Sequence, residues 1–352
     1  MATINFTWWN LENFFDTDDD PISQDFEFTV AEGWTEEVFQ AKLANLAQAL
    51  NATHGNAGPE LLAVAEIEKD TLLEQLIAQM GNANLKVVMD PTGTSDLRGI
   101  DVAMAYDINK LELVSSKSHV VHLRYATRDI FEVVFTVNET GERLVVIASH
   151  WPSRRLGQYE SEPARITLAE NIAYLVDHHL KFEPKEYEAL RAAQDLAAVQ
   201  ARWETKILLC GDFNDEPGDR SVTHHLLASR ELERVTGETN DIDQFKQETA
   251  DYRAQEFFLY NAMWKFAGQQ NVGTHFFSGS ATSVETNRYS LLDQIVTSRG
   301  LLHATGLRLD LTTVAIFNNN LVATPSGRPR KFDRQTKKGT SDHLPVTAVL
   351  RF

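Results

Sequence analysis

Four apolar runs in this chain stop at residues able to bind a metal, move a proton or donate to an anion, and a fifth begins with such residues. "FTWWN" ends at Asn10, "LLAVAE" at Glu66, "LVVIASH" at His150 and "ILLCGDFN" at Asp212 and Asn214, while "SDHLPV" opens on Asp342 and His343. Residues just past the last buried position of a strand sit on a rigid rim, where side chains from neighbouring strands converge. Carboxylate and amide oxygens spread over several strands are hard ligands, suited to Mg2+ or Mn2+ that keeps its waters for a phosphate. Taken singly, a strand-end Glu is a solvated surface group, a lone His a packed structural one, and "GDFND" a turn. Their joint occurrence is what those readings leave unexplained.

The elements that must position these residues are strands and helices grouped in two halves. "TINFTWWN" is rich in β-branched and aromatic residues and reads as a strand, followed by a long loop through "DTDDDPISQDF". Phe39, Leu43, Leu46 and Leu50 recur at helical spacing behind a capping Thr35, which predicts a helix over 35–50. "PELLAVAEIE" reads as a strand, and 71–80 as a helix stopped by Gly81. Strands are expected at 85–89, 100–106, 111–121, 130–137 and 143–149, then helices at 162–180, 184–204 and 219–229 around the strand "KILLCGD". Further strands are expected at 272–277, 289–297, 303–311 and 344–352. Two sheets packed together with helices outside, in a single domain of residues 1–352, is the expectation.

The chain has 352 residues, 43% hydrophobic and 24% charged, and no apolar run near the ~18–20 residues that span a bilayer. The N-terminus has neither the basic nor the apolar part of a secretory leader, so a cytoplasmic location is favoured, or a secreted one if a leader was removed. Cys210 is the lone cysteine, which excludes an intrachain disulfide and a multi-cysteine zinc site. It lies in an apolar strand and reads as packing. The net charge of −17 opposes non-specific binding to polyanions. That charge is uneven: residues 1–41 hold ten acids and no Lys or Arg, whereas 328–338 hold six basic residues against Asp333.

"WNLEN", "AEIE", "SHWPS", "GDFN", "LLDQI" and "SDHLP", in this order from Asn10 to His343, resemble the successive motifs of the endonuclease/exonuclease/phosphatase superfamily with the DNase I-like fold. The resemblance implies an α/β four-layer sandwich, two mainly antiparallel sheets face to face with helices outside. It further implies divalent-metal hydrolysis of phosphate esters, with Asn10, Glu66 and Asp342 on the metal side. Asp212 and Asn214 would orient the water and the phosphate, and His343 would act on the nucleophile or a phosphoryl oxygen. One departure is Ala65, where the family commonly has Gln. Glu68 competes with Glu66, because strand alternation puts both on one side.

Asp293 is then the expected acidic partner of His343, and Asp101 that of His150. Arg128, Arg154 and Arg330 are candidates for holding phosphate oxygens, since the guanidinium fork matches them. "DTDDD" reads as a solvated loop or an accessory Ca2+ site, although it lacks the spacing and glycine of an EF-hand. No G-x-S-x-G elbow, Walker A loop or H-E-x-x-H is present. The expected function is a metal-dependent nuclease on DNA or RNA, the alternative a phosphatase or phosphodiesterase for inositol phosphates, phospholipids or small nucleotides.

Overall fold

The computed structural model describes residues 2–21, 23–90, 94–237, 248–277, 288–303 and 305–352. Its strands are β1 (Thr3–Phe14), β2 (Leu61–Ile67), β3 (Leu85–Val88), β4 (Asp101–Asp107), β5 (Leu111–His119), β6 (Ile130–Val137), β7 (Arg143–His150) and β8 (Ile207–Asp212). They continue with β9 (Ala228–Ser229), β10 (Leu259–Asn261), β11 (His275–Phe276), β12 (Tyr289–Ser290), β13 (Asp293–Thr297), β14 (Arg308–Ile316) and β15 (Val346–Arg351). One sheet has the order β14-β15-β1-β2-β4-β3, the other β5-β6-β7-β8-β13-β10-β9, and β11 pairs with β12 in a separate ribbon. Pairing is antiparallel except at β1–β2, β7–β8 and β9–β10.

The alternation of side chains along each strand sorts the core into three layers. Ile4, Phe6 and Trp8 of β1, Val146 and Ala148 of β7, and Leu208 and Cys210 of β8 meet between the sheets. Trp9 and Leu11 face the opposite way, onto the helices Glu36–Asn51 and Asp70–Met80. Val145, Ile147, Ile207 and Leu209 pack under the helix Gln158–Leu180 and its neighbours. The result is helix, sheet, sheet, helix, and β8 reads as a continuous apolar run because both its faces are covered.

Several boundaries differ from expectation. β1 runs on to Phe14 instead of giving way to loop, with a register shift against β2 between Asn10 and Phe14. The expected helix 184–204 is two, Pro184–Ala192 and Leu196–Trp203, because the chain turns through Gln194 at φ 57°. Ser221–His225 forms one wide turn ahead of β9 in place of the helix 219–229. The strand expected at 289–297 is divided into β12 and β13, and the one at 303–311 begins at Arg308; Ala304 lies outside the described residues. No described helix is long and apolar enough to cross a membrane.

Candidate active site

Strand periodicity and register bring the polar residues together. In β1, β7 and β8, positions 10, 150 and 212 continue the parity of the inward-facing Trp8, Ala148 and Cys210, so their side chains emerge where the space between the sheets opens. β7 and β8 pair with His150 opposite Asp212, and β8 and β13 with Asp212 opposite Asp293. One row across three strands therefore carries His150, Asp212 and Asp293. Gly211 permits the close approach: a Cβ there would lie 2.2 Å from the Ser149 carbonyl oxygen. Trp151 and Phe213, just past the two strands, stack at 4.3 Å.

His343 lies over this row, held by its backbone. Ser341 Oγ donates to the Asn10 carbonyl at 2.6 Å and accepts from His343 N at 3.0 Å, while Trp9 Nε1 donates to the His343 carbonyl at 2.9 Å. The His343 ring pairs through Nδ1 with Asp293 Oδ2 at 2.7 Å, which leaves Nε2 facing Asp212 Oδ2 at 3.7 Å. The other oxygen of Asp293 accepts from Trp8 Nε1 at 2.8 Å, a bond that crosses from one sheet to the other. Burial opposes the charge on His343, but the carboxylates of Asp293 and Asp212 overcome it and hold its pKa well above that of ordinary histidine. Asp293 is equally buried, yet facing His343 keeps its carboxyl below the usual range. Asp212 goes the other way: burial, with Asp293 adding to it, pushes it up to about 7.

His150 is the opposite imidazole. Burial, then the charges of Arg128 and Arg98, push its pKa well below the ordinary value, so it stands neutral. Its Nε2 faces Asp212 Oδ2 at 3.5 Å and Glu66 Oε1 at 3.8 Å. Those two carboxylates, and not Asp101, are its acidic neighbours. Asp101 lies among Asp129, Asp90 and Arg128, and burial drives it up to about 8. The expected Asp101–His150 pair is absent among the described residues, because Asp101 opens β4 opposite Ile67 rather than beside β7.

Two left-handed turns aim the remaining groups. Ala63 and Ala65 of β2 face the inter-sheet core while Val64 and Ile67 face the helices, so the alternation breaks at Glu66, whose φ is 59°. This bulge turns Glu66 toward the site and separates it from Glu68. Glu68 accepts from Asp16 N at 2.9 Å and is pushed up to about 7 by burial. β1 has its own break, with Glu12 at φ 55° and Asn13 at φ 49°. Asn13 N donates to Glu66 Oε2 and Glu12 N to Asn10 Oδ1, both at 2.9 Å. Asn10 therefore presents its nitrogen to the site, donating to Glu66 Oε1 at 3.2 Å and Asp212 Oδ2 at 3.1 Å. The expected metal oxygen of Asn10 is thus committed to a backbone N–H, and the amide bridges two carboxylates. Asn214, at φ 49°, donates to the Trp151 carbonyl at 3.0 Å, and its own N–H caps Asp212 Oδ1 at 2.9 Å. Non-glycine residues in this region cost ~1–3 kcal/mol each and persist where surrounding structure over-determines them.

The basic residues read from sequence are mostly used inside the protein. Arg128, 7% exposed, donates to Asp96 Oδ2 and to the Trp151 carbonyl, both at 2.8 Å. Arg154 binds the Asn214 carbonyl, Asp215 and Asp219, bracing the loop that carries Asn214. The exposed Arg330 gives its Nε to the Ala323 carbonyl, Arg334 lies over Phe28 and Trp34, and Lys337 pairs with Glu37. Lys331 is the member of that run that reaches the site, 2.8 Å from Glu12 Oε1 and 4.0 Å from Asp342 Oδ2. The acidic loop is met by Lys69, whose ammonium lies 2.6 Å from Asp16 and 3.9 Å from Asp20.

Three neighbours escaped the sequence reading. Trp8 shares the inward parity of Asn10, which was the available signal. Lys42 lies on the apolar face of its helix, three residues after Phe39; it is 2% exposed, packs against Trp34 and Phe332, and donates to the Glu12 carbonyl. Burial pushes its ammonium down to about 8 against the pull of Glu12, Asp342 and Glu66. His275 of β11 lies against His343, ring centroids 4.9 Å apart and planes inclined at 43°, and burial followed by the His343 charge pushes it down to about 3; nothing in its local sequence marked it.

The donor set fits a hard divalent cation. Asp212, Asp293 and His343 each offer a ligand atom within 4.8 Å of the others, a group that could hold a metal ion. Both Asp293 oxygens are already bonded, however, to Trp8 and His343, so these three form a hydrogen-bonded chain better than a cage. Glu66, 3.8 Å from His150 Nε2, and the part-exposed Asp342, 4.0 Å from Lys331, are the further carboxylates of the site; each Glu66 oxygen accepts one hydrogen bond, from Asn10 Nδ2 and from Asn13 N, and keeps its second lone pair for an ion.

The comparisons bear on family and fold. Residues 4–351 match the model of an endonuclease/exonuclease/phosphatase family. No curated protein matches the sequence. Among solved structures, the human Nocturnin catalytic domain with bound sulfate superposes with a TM-score of 0.52 at 16% identity, over 99% of this chain and 94% of that one. D. rerio TDP2 complexed with a single-strand DNA product gives 0.51 at 12% identity, over the whole of both chains. The Bacteroides thetaiotaomicron mannosyl-6-phosphatase gives 0.52 at 14% identity, over 99% and 100%. Identities this low speak to the fold, which is DNase I-like, while the match along nearly the full sequence makes the chain a member of the endonuclease/exonuclease/phosphatase family of phosphoesterases.

Proposed function

We infer that this protein is a divalent-metal-dependent phosphodiesterase acting on nucleic acid. The observation that carries the reading is the continuous contact path Asp293–His343–Asp212–Asn10–Glu66, in which two imidazoles of opposite charge state face one carboxylate. Environments that push paired titratable groups apart separate acid from base in an active site. Asp212, acceptor-only when ionised, orients or deprotonates a water. His343, held charged by Asp293, donates from Nε2 to a phosphoryl oxygen, and neutral His150 and Asn214 supply further contacts to the phosphate. Mg2+ or Mn2+ bound by Glu66 and Asp342 would supply charge stabilisation on the phosphate and the leaving oxygen.

An activity panel tests this: plasmid, linear DNA, RNA, bis-p-nitrophenyl phosphate and inositol phosphates, each with Mg2+, Mn2+, Ca2+ or EDTA. Metal-dependent cleavage of nucleic acid is expected, and inertness toward every diester would refute it. A second reading, a phosphatase or phosphodiesterase of small molecules, draws on the way Arg334 and Lys337 are spent on internal contacts in a chain of net charge −17. Inositol phosphates turned over faster than any nucleic acid would favour it.

Glu66→Gln is expected to lower activity in a way that higher Mg2+ partly restores, because it weakens a ligand and leaves the proton-transfer groups in place. Glu68→Gln should behave like wild type, since Glu68 faces Asp16 and Lys69. The reverse pattern in a metal titration would reassign the carboxylate.

A further inference from the structure

We propose that Arg98 forms a phosphate-binding subsite beside the Glu66–His150 wall, the contact that Arg128 was expected to make. This rests on the nucleic-acid reading above and names how the same site grips its substrate.

Arg98 combines a fixed backbone with a loosely held tip. Its loop is pinned from three directions: Gln24 N donates to the Leu97 carbonyl at 2.7 Å, Arg128 holds Asp96 Oδ2 at 2.8 Å, and Gly99 turns at φ 81° against Ser23, where a Cβ would meet the Ser23 side chain at 2.8 Å. The guanidinium has only long contacts, 3.4 Å to Asn13 Oδ1 and 3.5 Å from Nε to Asp96 Oδ1, and the side chain is 35% exposed. Asp96 gives its short bonds elsewhere, to Arg128 and to the Arg98 backbone N–H at 2.8 Å. Most of the guanidinium donors are therefore open to a ligand.

The position of that tip defines the ligand. Asn13, which touches Arg98 through its side chain, binds Glu66 through its backbone N–H. Arg98 also acts electrostatically on His150. A cation one residue removed from the wall, in a chain of net charge −17, meets an anion arriving over Glu66 and His150. A planar fork with free donors matches the oxygens of a phosphate diester. Arg128 is the poorer fit, since it is 7% exposed and both its terminal nitrogens are bonded inside the protein, which leaves Nε as its one unpartnered nitrogen.

The test uses the full chain and two variants, Arg98→Gln and Arg98→Lys. Binding of a fluorescein-labelled single-stranded oligonucleotide is read by anisotropy in EDTA across a salt series, and hydrolysis of the same oligonucleotide in Mg2+. Arg98→Gln should raise Kd and KM by about 10-fold or more, since a hydrogen bond to a charged group is lost, with kcat little changed. Its slope of log affinity against log salt should flatten by about 0.7, the value of one phosphate contact on a single strand. Arg98→Lys, which keeps the charge and loses the fork, should fall between. Unchanged Kd, KM and slope in Arg98→Gln would overturn the subsite, as would a fall confined to kcat, which would assign Arg98 to positioning His150 or Glu66. If the wild type cleaves no diester yet Arg98→Gln still weakens oligonucleotide binding, the enzymatic reading fails and the subsite stands.

Discussion

Asp212→Asn is expected to slow phosphodiester hydrolysis by ~10²–10⁴-fold, the range of a positioned acid–base group, without loss of thermal stability. Asp212 is 2% exposed and is pushed up to about 7 by burial, with Asp293 and Glu66 raising it further. Its ionised form is therefore costly to the fold; a neutral amide of the same shape relieves that cost and keeps the bond from Asn214 N at 2.9 Å, which offsets the loss of the bond from Asn10 Nδ2 at 3.1 Å. Turnover and melting temperature should separate in one variant, as expected when a group is kept for chemistry at the expense of stability. Measuring kcat and Tm side by side decides it. Wild-type turnover would remove Asp212 from the mechanism, and a steep drop in Tm would make its carboxylate a structural group.

Asp293→Asn is expected to reduce both, with a signature in pH. A buried ion pair broken on one side leaves the other charge uncompensated, at a cost of ~3–5 kcal/mol. His343 is raised from 6.5, so its contribution to stability is complete below that pH and is lost as pH rises through the raised value. Asp293 is lowered from 3.8, so its contribution is complete above that pH and is lost as pH falls through the lowered value. Both are present in full between 3.8 and 6.5, where the difference in stability between wild type and Asp293→Asn should be largest. It should narrow on the alkaline side. Urea titrations in EDTA across this range test the pair without metal, and a gap that is constant with pH would show that the two groups do not titrate together.

What the sequence disclosed follows from what short strings encode. Apolar runs of period two ending in polar residues revealed the strands, their inward faces and the rim, so Asp212, His150, Asp293 and His343 could be named from parity and motif. Breaks in that period were not legible. The bulge at Glu66 separates it from Glu68, although regular alternation puts both on one side. The left-handed turn at Glu12 and Asn13 decides which atom Asn10 presents, and no residue in "WNLEN" is a glycine that would have announced it. Asp101 is not the partner of His150, because pairing partners depend on sheet order, which local pattern does not carry. The arginines follow another rule: a basic residue near a site has many intramolecular acceptors, and Arg128 and Arg154 are held by carbonyls and carboxylates of their own chain, whereas the exposed Arg330 gives only its Nε to a carbonyl.

The row that sets His150 opposite Asp212 and Asp212 opposite Asp293 works like a reading frame. A point substitution alters one letter of it, whereas one residue inserted or removed within Ile207–Leu209 shifts every later position of β8 by one. After an insertion Gly211, and after a deletion Phe213, would stand where Asp212 does; in both cases the carboxylate would turn toward the helices, and the close approach at Ser149 would fall on a residue with a side chain. Two compensating changes, an insertion before Leu208 and a deletion before Asp212, would restore the frame at the end that carries Asp212. A scan of single-residue insertions and deletions along β7, β8 and β13 should therefore show uniform intolerance up to the last inward position, and tolerance resuming abruptly in the loop after Asp215.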